Sequence, residues 1–478
     1  MTANDRSPLQ DEPAGVAIIG GGASAAIAAI QLFRNADRPL KIIFVEPRSS
    51  LGRGIAYSTE FDSHLLNVPS WNMSALHDDR DHFLRWMRRK VAKNIGRNSF
   101  ARRSLYGTYL HETLFESMSR AGRRVSLEHY RSPATRVELH DGGAHISLEN
   151  DLRISADRVI LALGHPPQKN PLPPGARVEA VSAWSSSAFD SLEPDAAVLL
   201  VGSGLTAVDA ATALDERGHR GTIHVVSRHG KWPLVHAASS GEGTSRSPRA
   251  AATARAMLRA IRAQSRSSCG WQAAVDSLRP HTNAIWARAS QTERRRFLRH
   301  LNSYWQIHRH RMPPEVAAKI DAMKWSGRLL LHSGRIVEAT AARDSRISVE
   351  IAMRGGRDNL SLSVARIINC TGPSLDLRDT PHALIRNLLE SGIARTDSLE
   401  LGLLTDDDGA LIGHDGAASN VIFALGPLRR GTLLETTAIP EIREQAADVA
   451  RRLLAESRSP TIQQAVSHAG RTAQLYPS

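Results

Sequence analysis

The stretch "GVAIIGGGASAAIAAIQL", Gly15–Leu32, decides the fold. An apolar run ends in Gly-x-Gly-x-x-Ala and passes into an alanine-rich segment of helical character. "LKIIFVEP" follows as a second strand pattern whose tip is Glu46. Strand, glycine turn, helix and strand make a βαβ unit, the context that gives this glycine spacing its meaning. Gly20 permits the tight turn, Gly22 lets the backbone approach a pyrophosphate, and Ala25 keeps helix and strand close. The helix start, with Ser24, offers free N–H groups and a favourable dipole to phosphate.

The pattern recurs at "AVLLVGSGLTAVDAATAL", Ala197–Leu214. Gly202, Gly204 and Ala207 take the three cradle positions, with Thr206 at the helix start. The following strand, "GTIHVVSRHG", differs at its tip, where Ser227 and Arg228 stand in place of a carboxylate. A carboxylate such as Glu46 accepts from plain ribose hydroxyls and repels a 2′-phosphate, whereas a hydroxyl and a guanidinium bind one. The two cradles are therefore expected to hold different dinucleotides, one with a plain ribose, as in FAD or NAD, in the first and NADP in the second.

Two further strand patterns end on glycine, "DRVILALGHPP" with Gly164 and "ARIINCTGPS". A third, "NVIFALGP", reaches Gly426 before the last helix, whose backbone N–H groups are expected to face the flavin. The expected fold class is α/β, with two Rossmann-like domains and a helical insertion. The first domain is read as 1–175 with a return over 374–478, and the second as 176–231 with a return over 334–373. The arginine-, alanine- and tryptophan-rich segment 232–333 breaks the α/β alternation and reads as a helical roof.

Composition narrows the alternatives. A chain of 478 residues with 41% hydrophobic and 23% charged residues is an ordinary globular protein of more than one domain. No apolar run reaches the ~20 residues that span a bilayer, and the polar N-terminus lacks signal-peptide character, so a cytoplasmic protein without membrane contact is expected. Cys269 and Cys370 are far apart and form no Cys-x-x-Cys pair, which speaks against a disulfide framework or dithiol centre. The net charge of +13 favours anionic partners. The basic patch Ser245–Ser268 has no zinc-finger or aromatic RNA-binding signature and reads as a solvated helix and loop, so a nucleic-acid partner is not favoured. His308, Arg309, His310 and Arg311 have no acidic neighbour in sequence and no metal-ligand spacing. They read as a solvated or structural basic cluster, or as an anion site. No metal is expected, and no catalytic triad is found.

These segments, together with "GRGIAYSTEFDSHLLNVPSWNMSA", "DHFLRWM", "RRSLYGTYL", "HRHRMPPEV" and "ALGPLRRGTLLETTAIPEIREQA", resemble flavoproteins with two dinucleotide-binding domains. More narrowly, the chain resembles a bacterial FAD/NAD(P)-binding family (YdhS-like) related to flavin-dependent N-hydroxylating monooxygenases. The resemblance implies hydride delivery from NADPH to FAD and a flavin C4a-hydroperoxide that oxygenates a small amine or amino acid, aspartate first. With FAD in the first cradle, Arg53 is expected near the diphosphate or the flavin carbonyls, and Asn67 with the backbone around Val68, Met73 and Ser74 near the ring edge. Arg429 and Arg430 are candidates for a substrate carboxylate. The histidine of a Baeyer–Villiger fingerprint is missing from "GARVEAVSAWSSS". The competing readings are an NADPH-dependent flavin reductase or oxidase without oxygen insertion, and a non-catalytic flavin sensor or nucleic-acid partner.

Overall fold

The computed structural model describes residues 14–237, 253–266, 270–342, 346–356, 358–374 and 376–456. Two sheets built on parallel strands organise it, and the two glycine cradles open from their strand ends. The first sheet has the order Ala410–Ile412, Ala418–Ala424, Arg158–Leu161, Ala14–Ile19, Leu40–Val45, Val125–Tyr130. Its strands are parallel except at the Ala410–Ile412 edge. Residues such as Ile18, Ile42 and Phe44 on one face and Ile19 and Ile43 on the other are buried because both faces of the sheet are covered. Helices Ala23–Asn35, Arg103–Ala121 and Ile439–Glu456 cover one face. The antiparallel sheet Ala134–His140, Gly143–Leu148, Arg153–Ala156 and helix Ala383–Glu390 cover the other.

The second sheet has the order Asn359–Val364, Ile347–Met353, Leu329–Ala341, Ile223–Ser227, Val198–Val201, Arg366–Asn369, Val181–Ser182. Strand Leu329–Ala341 is parallel to Ile223–Ser227 through Ser333, then turns antiparallel against Ile347–Met353. The boundary expected at 333 thus falls inside a strand. Helix Pro314–Trp325 packs on helix Leu205–Glu216 as the crossover of this sheet, which leaves the helices from Ala254 to Arg309 as the inserted module. Met257, Trp286, Phe297 and Trp305 form that module's own core together with Leu401 and Leu434 from the first domain. Of the basic patch Ser245–Ser268, only the part carrying helix Ala254–Ser265 lies within the described residues.

Two chain segments cross between the domains side by side. Ser374 N–H donates to the Pro167 carbonyl at 3.1 Å, and Asn369 Nδ2 donates to the Lys169 carbonyl at 3.0 Å. A second set of links joins the loop after Gly54 to helix Leu205–Glu216. The Glu216 carboxylate accepts from the Asp62 and Ser63 N–H groups at 3.1 and 2.9 Å. Arg103 pairs with Asp209 at 2.8 Å, both largely buried. No helix among the described residues is long and apolar enough to cross a membrane.

Candidate active site

Both cradles have the same construction. Gly20 (φ +108°) and Gly202 (φ +110°) adopt a backbone that side chains rarely take. A Cβ at Gly20 would stand 2.4 Å from the Ala162 carbonyl oxygen, and one at Gly202 would stand 2.6 Å from that of Cys370. The second glycine of each pair is different. Gly22 and Gly204 are extended N-caps at φ −79° and −85°. A Cβ at Gly22 would meet only Gly54 at ordinary contact distance, and one at Gly204 would meet nothing within 4 Å. The protein leaves this space open at the two helix starts, where a pyrophosphate would lie. The residues present thus fit a dinucleotide at each cradle.

Around the first cradle, Ala25 is fully buried and Ser24 nearly so. Gly21 N–H donates to Glu46 Oε2 at 2.7 Å, and Arg48 N–H donates to Glu46 Oε1 at 3.0 Å. Glu46 thus braces the loop from the strand tip. Gly52 N–H donates to the Gly21 carbonyl at 2.8 Å, so the "GRG" turn lies against the cradle. Arg53 of that turn donates to Thr108 Oγ1 at 3.2 Å. Gly164 (φ +71°) opens to space, and His165 follows it.

Several expected contacts are placed differently. Val68, Met73 and Ser74 are buried in the first domain, and the Ser74 hydroxyl accepts from Leu76 N–H at 3.0 Å in its own turn. The expectation there concerns the backbone, and the Ser74 carbonyl already accepts from Arg443 Nη1 at 3.1 Å. Asn67 is half-buried, and its amide makes no hydrogen bond among the described residues, while its carbonyl lies 3.0 Å from His236 Nε2. Gly426 does not offer a free N–H, because it donates to Gln445 Oε1 at 3.1 Å. Its missing side chain admits Ser24, whose Oγ would stand 2.9 Å from a Cβ.

The two candidate arginines separate sharply. Arg429 is 1% exposed and donates to the Asp406 and Asp407 carbonyls at 3.1 and 2.7 Å. It is a stitch in the 405–407 loop, and burial draws its pKa down to about 10. Arg430 is half-buried and has no side-chain partner among the described residues, with its Nε fully enclosed. Burial lowers its pKa, and Glu435 is the acidic group that opposes this.

Glu435 cannot neutralise Arg430 directly, because other groups hold it. It accepts from Trp305 Nε1 at 2.8 Å and lies 3.3 Å from Arg309 Nε, and Asn283 clamps its backbone on both sides. Arg309 also reaches Glu441 at 3.3 Å, and Glu441 takes Arg279 through two bonds of 2.7 and 3.0 Å. Arg311 pairs with Asp276 and donates to Gln272 Oε1 at 2.9 Å. The basic cluster at 308–311 is therefore not solvated: Arg309 and Arg311 are buried and paired with acids distant in sequence.

His165 and His310 lie near Arg430, and sequence reasoning gave neither a cofactor or substrate role of its own. His165 is exposed as a residue, yet desolvation of its imidazole lowers its pKa to about 4. Arg430 adds to the shift. Burial takes His310 to about 3, and Arg309, Arg430, Arg279 and His165 add to it. Both imidazoles are neutral in the folded protein near pH 7, with arginines as the charges that add to the shift.

A stability consequence follows. Below about pH 6.5 the unfolded chain protonates these two histidines while the folded chain does not. Stability is therefore lost as pH falls from about 6.5 towards 4. Thermal unfolding between pH 7 and 4.5 should show this decline, and a His310→Gln variant should show less of it. An equal decline in both would remove His310 as a contributor.

At the second cradle, Ala207 is buried and Thr206 half-buried. The Ser227 hydroxyl lies 2.8 Å from Ser203 Oγ and accepts from Gly230 N–H at 3.1 Å, so it is mainly a turn residue. Arg228 is exposed and makes no side-chain bond among the described residues. Cys370 is buried, and burial pushes its thiol well above the usual range. No group of three or more His, Cys, Asp or Glu among the described residues could hold a metal.

Residues 17–166, which carry the first cradle, match the FAD-NAD(P)-binding family model. This segment is an FAD-NAD(P)-binding domain. Comparison with curated proteins finds no match. Among solved structures, the chain shares its fold with an ornithine N-hydroxylase from Kutzneria sp. 744, determined with reduced FAD, NADP+ and L-ornithine. The identity is 15%, the match covers 94% of this chain and 100% of that one, and the TM-score is 0.63. An L-lysine 6-monooxygenase from Pseudomonas syringae matches at 16% identity over 93% and 99% of the two chains, TM-score 0.66. The bacillithiol disulfide reductase of Bacillus cereus also matches, at 13% identity over 93% and 100%, TM-score 0.54. One fold serves hydroxylation and disulfide reduction, so the chemistry beyond the FAD-NAD(P)-binding domain has to be argued from the cleft.

Proposed function

We propose that the chain is an FAD- and NADPH-dependent monooxygenase that N-hydroxylates a small amine bearing a carboxylate, with an acidic amino acid such as aspartate the leading candidate. The observation that carries the substrate class is Arg430: a half-buried guanidinium without a side-chain partner among the described residues, near His165 and His310. A desolvated guanidinium of this kind favours a carboxylate, which it binds as a fork. The likeness in fold to amine hydroxylases supports the reaction type. The buried, unpaired Cys370 gives the disulfide-reductase alternative no support.

FAD would be held by Gly20, Gly22, Ser24, Ala25 and Glu46, with Arg53, Asn67 and Gly164 nearby. NADPH would be held by Gly202, Gly204, Thr206, Ala207 and Arg228. When bound, the flavin supplies electrons from NADPH to molecular oxygen. The chain supplies binding, orientation and exclusion of water. Arg430 anchors the carboxylate. Its charge, with those of Arg309 and Arg279 behind it, disfavours an ammonium in the cleft and so favours the free amine that attacks. His165 and His310 add polar walls without adding charge.

The test measures NADPH consumption, hydroxylamine formation and peroxide release with the FAD-loaded protein, using aspartate first and then a panel of amines and amino acids. Hydroxylamine formed in proportion to NADPH with a carboxylate-bearing amine supports the reading. NADPH oxidation that yields only peroxide with every amine tested would support the reductase or oxidase alternative.

A further inference from the structure

Three chain segments meet at the mouth of the second cradle. The Lys231 carbonyl lies 2.5 Å from the hydroxyl of Ser203, the middle residue of Gly202-Ser203-Gly204. Gly230 is packed on Ser333, whose Cβ would stand 3.0 Å from a Cβ placed there. Arg354 begins the turn after strand Ile347–Met353, and its N–H donates to the Ser333 carbonyl at 2.8 Å. These links hold the tip of Ile223–Ser227 between the cradle and the appended hairpin.

The side chains gathered there are basic. Arg354 donates through its guanidinium to Nδ1 of His229, 125 residues earlier in the chain. The Lys231 ammonium lies 3.9 Å above the ring of Tyr304, on helix Asn302–Arg309 of the inserted module. Burial, then Arg354, Arg228 and Lys231, hold the His229 ring below its usual pKa. His229 is thus an acceptor that fixes Arg354, while the remaining guanidinium nitrogens and the exposed Arg228 face solvent at the strand tip.

In a Rossmann unit the tip of this strand is where the adenosine ribose presents its 2′ position. A plain hydroxyl does not require three cations, and they repel one another when nothing lies between them. A phosphate monoester carries close to two negative charges and several acceptor oxygens.

We propose that Arg354 and Lys231, with Arg228, form the seat for a ribose 2′-phosphate at the second cradle, with His229 as the positioning residue for Arg354. The proposal rests on the NADPH reading of that cradle and adds a determinant from the distant hairpin.

Calorimetric titration of the FAD-loaded full chain with adenosine 2′,5′-bisphosphate and with adenosine 5′-monophosphate separates the two layers. The wild type is expected to bind the bisphosphate at least about tenfold more tightly, and more so at low salt. Arg354→Met should remove roughly tenfold from bisphosphate affinity and leave the monophosphate unchanged. Arg354→Lys, which keeps the charge and loses the fork to His229, should recover only part. Because Arg354 is exposed, unchanged thermal unfolding of both variants is expected and checks the fold. Equal affinity of the wild type for the two nucleotides overturns the seat while the cradle stands. Wild-type discrimination that survives Arg354→Met removes Arg354 from it. Absence of binding by either nucleotide overturns the cradle reading itself.

Discussion

Arg430→Met is expected to lower substrate hydroxylation by on the order of a hundredfold while leaving the rate of flavin reduction by NADPH within about twofold. The first figure follows from the loss of two charge-assisted hydrogen bonds to a carboxylate in a partly desolvated cleft, about 3 kcal/mol in all. The second follows from position: Arg430 belongs to the first domain, and among the described residues its side chain makes no hydrogen bond to either cradle. NADPH oxidation should continue, with its electrons leaving as peroxide. The adjacent residue provides the control. Arg429→Met removes a buried guanidinium that holds the Asp406 and Asp407 carbonyls and the Thr405 hydroxyl. Orphaned buried acceptors cost about 1–3 kcal/mol each, so this variant should lose thermal stability first and activity only as a result. A stable Arg430→Met protein with unchanged hydroxylation would remove the carboxylate seat.

That contrast also shows where sequence reasoning stops. "PLRR" presents two adjacent arginines, and nothing local distinguishes a loop stitch from a ligand anchor. The difference depends on which side of the chain the 405–407 loop occupies, and that is a tertiary fact. The cluster at 308–311 is similar. With no acidic partner nearby in sequence, the solvated, structural and anion-binding readings stay open there, because Arg309's partner Glu441 lies 132 residues away along the chain. His165 and His310 were hidden for a related reason, since one follows a strand-end glycine and the other ends a helix of the inserted module. Their proximity exists only after the two domains and the insertion assemble. The insertion boundary was blurred because Pro314–Trp325 shares its helical pattern with the preceding helices. Only its packing against Leu205–Glu216 makes it a crossover.

The cradles were legible because their requirements are local. Gly20 and Gly202 must turn within a few residues, and the spacing to Ala25 and Ala207 is fixed by one helical turn. The sequence already separates the turn glycine from the one that lets a pyrophosphate approach, and the structure shows that difference in backbone and space. Gly20→Ala would set a Cβ at 2.4 Å from a backbone carbonyl in a left-handed conformation. Strain and overpacking together cost roughly 2–6 kcal/mol, so this variant should fail by instability.

Gly204→Ala is expected to do the opposite. The residue is exposed, its backbone is extended, and a Cβ there meets no protein atom within 4 Å. Exchanging glycine for alanine at an N-cap changes stability by about 1 kcal/mol at most. Yet the methyl group would stand at the helix start where a pyrophosphate must approach the backbone. Affinity for NADPH should fall by about 2 kcal/mol or more, roughly thirtyfold, with the melting temperature nearly unchanged. Anaerobic reduction of the bound flavin at varied NADPH concentration measures this directly, because the loss should appear in the concentration needed for half-maximal rate. Unaltered NADPH dependence in a stable Gly204→Ala protein would mean that the second cradle holds no coenzyme phosphate. A glycine that the fold itself does not require is best explained by a ligand that does.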